Sequence, residues 1–287
     1  MRSRPPSVPI PLPAWAARLA LVVAAAVELA AAGPDKSGYT WFNPTPAARL
    51  RELGTDRPDL TESPFTVDAG HAQIELDFAT GTRNRLDGVR TSSWGVLPFN
   101  LRLGLTNNLE AGIFVSPVTR VAETPRGGPR ARRSGFGDVT LRAKFNFWGN
   151  DGGATAGGLI ADVTLPTAAR GLGSDKLEGD LAVPAAFELA GGWEGGAMTA
   201  LGIRHRDTGG AGAVWRNTVT FSHEVVKDVS GYAELTSTVG EGGHVATFDL
   251  GLAWKLNAHT QLDGGVNLGL SRQADDLTGF AGISRRF

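Results

Sequence analysis

The 287-residue chain has no cysteine, two tyrosines and two methionines. Without cysteine, no disulfide braces the fold and no thiol can serve as nucleophile, redox centre or soft metal ligand. Long hydrophobic runs are missing too: after residue 32 no stretch approaches the ~20 apolar residues of a spanning helix. Nor is there an excess charge of one sign. A net charge of -1 and a pI near 6.5 argue against a nucleic-acid surface. Five histidines are scattered with no i, i+4 pair, so no metal or cofactor is expected.

Glycine is plentiful, at 39 residues. Mean hydropathy is -0.09 although 41% of residues are apolar. Alternating strands produce that combination, because they hide their hydrophobicity from a sliding window.

At the amino end, Arg2, Arg4 and Arg18 precede an apolar run from Leu19 to Ala32, interrupted by Glu28. Small residues Ala30-Ala31-Ala32-Gly33 close it. This reads as a secretory signal over 1–32, too short in its apolar part to span a bilayer. Residues 33–70 are proline-rich and lack alternation; Thr45-Pro46 and Gly54 predict a short helix through Leu53. Residues 71–287 are expected to form a β-barrel, with this extension below it or in its lumen.

From His71 onward about twelve segments alternate apolar and polar residues. In one, Val139, Leu141, Ala143, Phe145 and Phe147 alternate with Thr140, Arg142, Lys144 and Asn146. Successive side chains of a strand face opposite sides, so each segment has one greasy face and one polar face. A soluble sandwich buries the greasy face, whereas an outer-membrane barrel turns it to lipid. Connections decide between them. Short turns at 106–108, 149–153, 191–196, 226–230 and 257–260 alternate with longer loops at 81–92, 119–135, 166–177, 207–213, 240–244 and 271–278. Short periplasmic turns and long outer loops mark an outer-membrane barrel, with both termini periplasmic. Trp148, Trp193 and Trp254 fall near the short turns, where an interfacial girdle belongs. The expected architecture is an all-β, antiparallel up-and-down transmembrane barrel.

The polar faces then line a lumen. Arg102, Glu110, Arg142, Lys144, Asp180, Arg204, Arg216, Glu224, Glu234, Asp249, Lys255 and Asp263 are the selectivity candidates. Such charges must be paired or hydrated. They either interlock into a closed lumen or line a wet passage, and twelve strands lie between the filled and open cases. In the extension, Arg57, Asp59 and Glu62 are polar enough to dock onto them as a plug. Gly282 and the terminal Phe287 fit an assembly signal read by the barrel assembly machinery, although Arg285 stands where an apolar residue is expected. The basic loop 126–133 either contacts lipopolysaccharide phosphates or is solvated. Thr199, His205, Asn217, His223, Gly231 and Ser237 weaken the lipid face of strands seven to nine, which predicts a subunit contact or a bulge. Ser222 and His223 are adjacent, face opposite sides, and cannot form a nucleophile–base pair. No catalytic residue is expected.

Several stretches carry a family resemblance. Thr55-Asp-Arg-Pro-Asp-Leu-Thr-Glu-Ser-Pro-Phe-Thr-Val-Asp-Ala-Gly-His71 resembles the amino-terminal hallmark of a "transporter" family associated with the meta pathway of phenol degradation. Gly135 to Lys144, Leu165-Pro-Thr with its loop to Gly179, and Leu262 to Phe287 are similar to it as well. The resemblance implies an outer-membrane pore or uptake protein for small aromatic or other hydrophobic solutes; the barrel reading itself sets the expected partners, outer-membrane lipid and lipopolysaccharide. It carries over no catalytic residue.

Overall fold

The computed structural model describes residues 35–205 and 209–287. The expected signal peptide lies outside the described residues. Fifteen strands form one antiparallel sheet: β1 (Ala72–Leu86), β2 (Val89–Val96), β3 (Phe99–Gly104), β4 (Leu109–Val115), β5 (Val118–Pro125), β6 (Ala131–Gly135), β7 (Val139–Trp148), β8 (Thr155–Leu165), β9 (Glu178–Glu188), β10 (Trp193–His205), β11 (Ala211–Val226), β12 (Val229–Gly240), β13 (Gly243–Asn257), β14 (Thr260–Gly269) and β15 (Leu277–Arg286). β15 pairs with β1, from Gln73 opposite Arg286 to Arg83 opposite Leu277, and closes the ring.

Three breaks reconcile fifteen segments with a twelve-stranded wall. β2 and β3 are one wall strand interrupted at Leu97-Pro98, β4 and β5 one interrupted at Ser116-Pro117, and β6 and β7 one interrupted at 136–138. Proline has no N–H to give to the ladder, so a strand bends where it stands. Pro98 instead offers its carbonyl to the Asp77 N–H at 2.9 Å, beside the bulge that shifts β1 between Asp77 and Ala79.

The wall is inside-out relative to a soluble protein. On β7, Leu141, Phe145 and Phe147 are exposed, while Arg142, Lys144 and Asn146 are buried. Leu181, Val183, Leu201, Ile203, Leu250 and Leu252 continue the exposed apolar belt around the other strands. Trp193 and Trp254 mark the rim near the short turns, and Trp94 and Trp215 the opposite one.

Three expectations need correction. The predicted helix over Thr45–Leu53 is a single 3-10 turn, Ala47–Arg49, with no side-chain cap. Tertiary bonds pull the chain straight on either side: Thr45 N–H donates to Ala69 O at 2.9 Å, and Arg51 N–H to Asp68 Oδ2 at 3.1 Å. Second, the spans 81–92 and 119–135 are largely strand, turning at Asp87-Gly88 and around Gly127. Beyond the membrane both faces of these hairpins are polar, so alternation disappears although pairing continues. Third, the bulge expected among strands seven to nine lies between Glu224 and Val226 on β11, past the polar positions it was invoked to explain. β10, β11 and β12 keep an unbroken register from Trp215 to Glu224.

Candidate functional site: the lumen and its docked segment

Residues 35–71 enter the barrel from the side of the short turns. Lys36 pairs with Asp151 at 2.7 Å, and Arg51 and Arg286 reach Asp68 at 3.1 and 3.3 Å. Asn150 accepts the Thr66 N–H at 3.1 Å, so the Asn150-Asp151 turn anchors the segment.

Residues 55–67 then cross the lumen and touch opposite walls. Arg57 sits between Asp263 on β14, at 2.6 Å, and Asp77 on β1, at 2.5 Å. Its guanidinium also stacks 5.5 Å from the Phe280 ring centroid. Leu60 N–H and the Thr61 hydroxyl both donate to Glu234 on β12, at 2.8 and 2.5 Å. Glu62 takes a two-pronged bond from Arg142 on β7, at 2.6 and 2.7 Å, and Arg142 also holds Asp162 at 2.7 Å. Pro64 O accepts from Asn146, and Val67 N–H donates to Glu110 on β4 at 2.8 Å.

Asp56 is the hub. It pairs with Lys144, with Arg102 at 3.4 Å and with Arg142 at 3.5 Å. Arg102 itself grips Glu110 and Glu75, each at 2.7 Å. Arg102, Lys144 and Glu110 are fully buried. Burial by itself pushes the Asp56 carboxyl up, but Arg102, Lys144 and Arg142 outweigh it and hold that group well below the usual carboxylate range. Removing one member of such a set leaves the others charged and enclosed, which costs about 3–5 kcal/mol.

Among the described residues Asp59 has no ion-pair partner. It borders the lumen cavity, yet protein surrounds it. That burial pushes its carboxyl up to about 7; a hydrogen bond from Thr220 opposes the shift, and the charges of Glu62 and Asp56 add to it. Glu234 and Asp249 stand opposite each other on β12 and β13, on the same wall. Asp249 accepts from Thr247 at 3.0 Å. The cations are thus concentrated on the β1–β7 side, and the β12–β13 side is acidic.

The remaining candidates divide by depth. Asp180 and Arg204 pair at 2.8 Å toward the outer mouth. Arg216 lies on the lumen face opposite Ala200 and Thr238. Glu224 and Lys255 are exposed at the opposite mouth, where Lys255 meets Glu52 at 3.3 Å. Below the docked loop a cavity of about 700 Å³ opens between residues 51–66 and β8–β14, lined by Phe65, Phe187, Ser222, Tyr232 and Lys255. Sequence reasoning passed over Asp56, Thr61 and the apolar strip Ile160, Ala182, Met198 and Ala200, which is buried on the lumen side. The alternating charge of Asp56-Arg57 and Asp59 was a visible signal for the first; the strip had none, since its residues sit where polar ones were expected.

Gly282 has a local reason to lack a side chain. A Cβ there would strike the Arg57 guanidinium and the Leu76 carbonyl oxygen. Phe287 N–H extends the ladder to Ala72 O at 2.8 Å, and Arg285 folds over the Phe287 ring at 5.3 Å. On the outer wall, His223 stacks on Trp193 at 4.8 Å and bonds Gly192 O at 3.0 Å. Trp215 donates to Thr199, and Thr199 to Asn217, at 2.8 and 3.0 Å. The polar groups of that face therefore bond one another within the wall.

The sequence profile of the family described as "Putative MetA-pathway of phenol degradation" matches residues 55–287. The chain belongs to that family. Among solved structures, this family member is similar to an outer membrane channel from Pseudomonas putida F1, with 14% identity and a TM-score of 0.61 over 82% of this chain and 100% of that one. It is also similar to the beta domain of the Bordetella autotransporter BrkA, with 15% identity and a TM-score of 0.51 over 76% of this chain and 99% of that one. No curated protein matches by sequence. At these identities the likeness establishes the fold: a closed outer-membrane β-barrel.

Proposed function

We propose that this barrel is an outer-membrane channel for passive uptake of small solutes, closed at rest by residues 55–67. The supporting observation is the docked segment itself. It spans a polar lumen and is held by side chains on β1, β4, β7, β12 and β14 rather than by an apolar core. The acidic β12–β13 wall and the apolar strip on β8–β10 favour solutes with an apolar body over anions. Phenol is the first candidate, in keeping with the family description. Planar-bilayer or liposome uptake with phenol, benzoate and a sugar of similar size tests this. Phenol should pass fastest and benzoate slower; equal passage of all three would remove the selectivity reading.

A barrel sealed by its ion pairs, serving a structural role, is the second reading, favoured by the density of pairs around Asp56. Barriers that persist after residues 35–66 are deleted would support it. We read the protein as non-enzymatic, since adjacent strand residues face opposite ways and His223, paired with Trp193 and stacked on its ring, lies on the other side of β11 from Ser222, which pairs with Tyr232. Assembly through the barrel assembly machinery and a subunit contact across β10–β12 complete the proposal. Crosslinking from Asn217 in intact membranes tests the contact.

A further inference from the structure

The hairpins β1–β2 and β5–β6 lie side by side and carry the wall beyond the membrane as a four-stranded sheet. Its two faces are told apart by the lumen ladder. Thr82 bonds Thr278, next to Phe280, whose ring meets Arg57 inside the barrel. Thr82 therefore faces in, and Arg83 and Arg85 face out. Register then fixes the neighbours: Arg85 opposes Arg90, Arg83 opposes Ser92, Gly81 opposes Trp94, Trp94 opposes Arg120, and Ala122 opposes Arg132.

The outward face thus gathers Arg83, Arg85, Arg90, Arg120 and Arg132, all exposed, with Ser92, Ser134 and Thr124 between them. None of its positions carries a carboxylate. Among the described residues the ion pairs of this region are Arg133–Glu123, on the inward face, and Arg272–Asp87, at the turn, and neither uses the five arginines. A sheet charged for solubility alone mixes signs, and like charges directly opposite, as Arg85 and Arg90 are, destabilise a pair of strands unless an anion lies between them. Just below the arginines come exposed Trp94, Val96, Val118 and Phe78, the upper edge of the lipid-facing belt. The patch therefore stands at the headgroup level of the outer leaflet.

We propose that this face is a binding site for lipopolysaccharide, with the arginines gripping its phosphate groups and Trp94 and Val118 resting against its acyl region. Planar guanidinium groups take phosphate oxygens in pairs, and serine and threonine hydroxyls between them suit the sugar. Clustered arginine beside a membrane surface selects anionic headgroups. The site rests on the placement of the barrel in the outer membrane and is independent of whether the lumen conducts.

The test uses the full-length protein in detergent, titrated with lipopolysaccharide, with the same material after phosphate removal, and with phosphatidylglycerol micelles. Phosphorylated lipopolysaccharide should bind at least about tenfold more tightly than either comparator. The variant Arg85→Ser/Arg90→Ser/Arg120→Ser should lose that preference, while Lys227→Ser, at a periplasmic turn, should keep it. A gel shift between unboiled and boiled samples shows that each variant is folded. If the triple variant does not fold, Arg120→Ser alone should weaken binding about threefold. Unchanged binding by a folded variant overturns the site, as does equal binding of phosphatidylglycerol, which would make the patch a general anionic surface.

Discussion

Asp56 and Asp59 stand three residues apart and face opposite electrostatic surroundings. Asp56→Asn leaves Lys144, Arg102 and Arg142 without their shared carboxylate. Undocking should become easier by an amount of the order of the buried-pair cost, about 3–5 kcal/mol. Larger or more frequent conductance steps should follow; steps identical to those of the unaltered protein would show that the pair does not hold the segment. Asp59 gives the pH dependence. Its carboxyl is raised to about 7 when docked and returns to about 4 in water, so the docked state binds more protons between those values. Docking is then strongest near the lower pH, weakens as pH rises from about 4 to about 7, and changes no further above. The groups facing Asp59 are Glu62 and Asp56 on its own segment and Glu234 and Tyr232 on β12. Asp56 works with the opposite sign, since its depressed carboxyl withdraws support only as pH falls below about 4. Open probability should therefore rise from pH 5 to pH 7, and Asp59→Asn should flatten that rise. A rise that survives the substitution would assign it elsewhere.

At the scale of elements, the close approach of the segment to the wall depends on glycine. A Cβ at Gly104 on β3 would meet the carbonyl oxygens of Val67 and Asp68. Gly104→Ala is therefore expected to fold as a barrel but to displace residues 65–68, at an overpacking cost of about 1–3 kcal/mol. Because the chain has no cysteine, Ser63→Cys provides a clean reporter. Its alkylation should speed up about 5- to 150-fold in the Gly104→Ala background; an unchanged rate would mean that the segment does not lean on β3. The strands in the membrane were legible because lipid demands a strict period of two, as on Val139 to Phe147. The β1–β2 and β5–β6 extensions were not, because past Trp94 neither face touches lipid. The helix expected from Thr45 through Leu53 shrinks to the 3-10 turn Ala47–Arg49 for a related reason: local helix signals lose to bonds made with Ala69 and Asp68.

For the whole molecule, strand sorting by loop length and the inside-out burial pattern describe the same object, a closed outer-membrane barrel. The inward identities of Arg102, Arg142, Lys144, Glu234 and Asp263 were readable from parity. Their partners were not, because Arg57 with Asp263 and Glu62 with Arg142 lie 206 and 80 residues apart and meet only once the ring is closed. The central claim is that residues 55–67 keep this lumen shut. Single-channel conductance of the full chain against a chain lacking 35–66 tests it most directly. The account predicts small or absent steps before deletion and clearly larger, stable steps after it; equal conductance in a deletion variant that still shows the folded gel shift would contradict it.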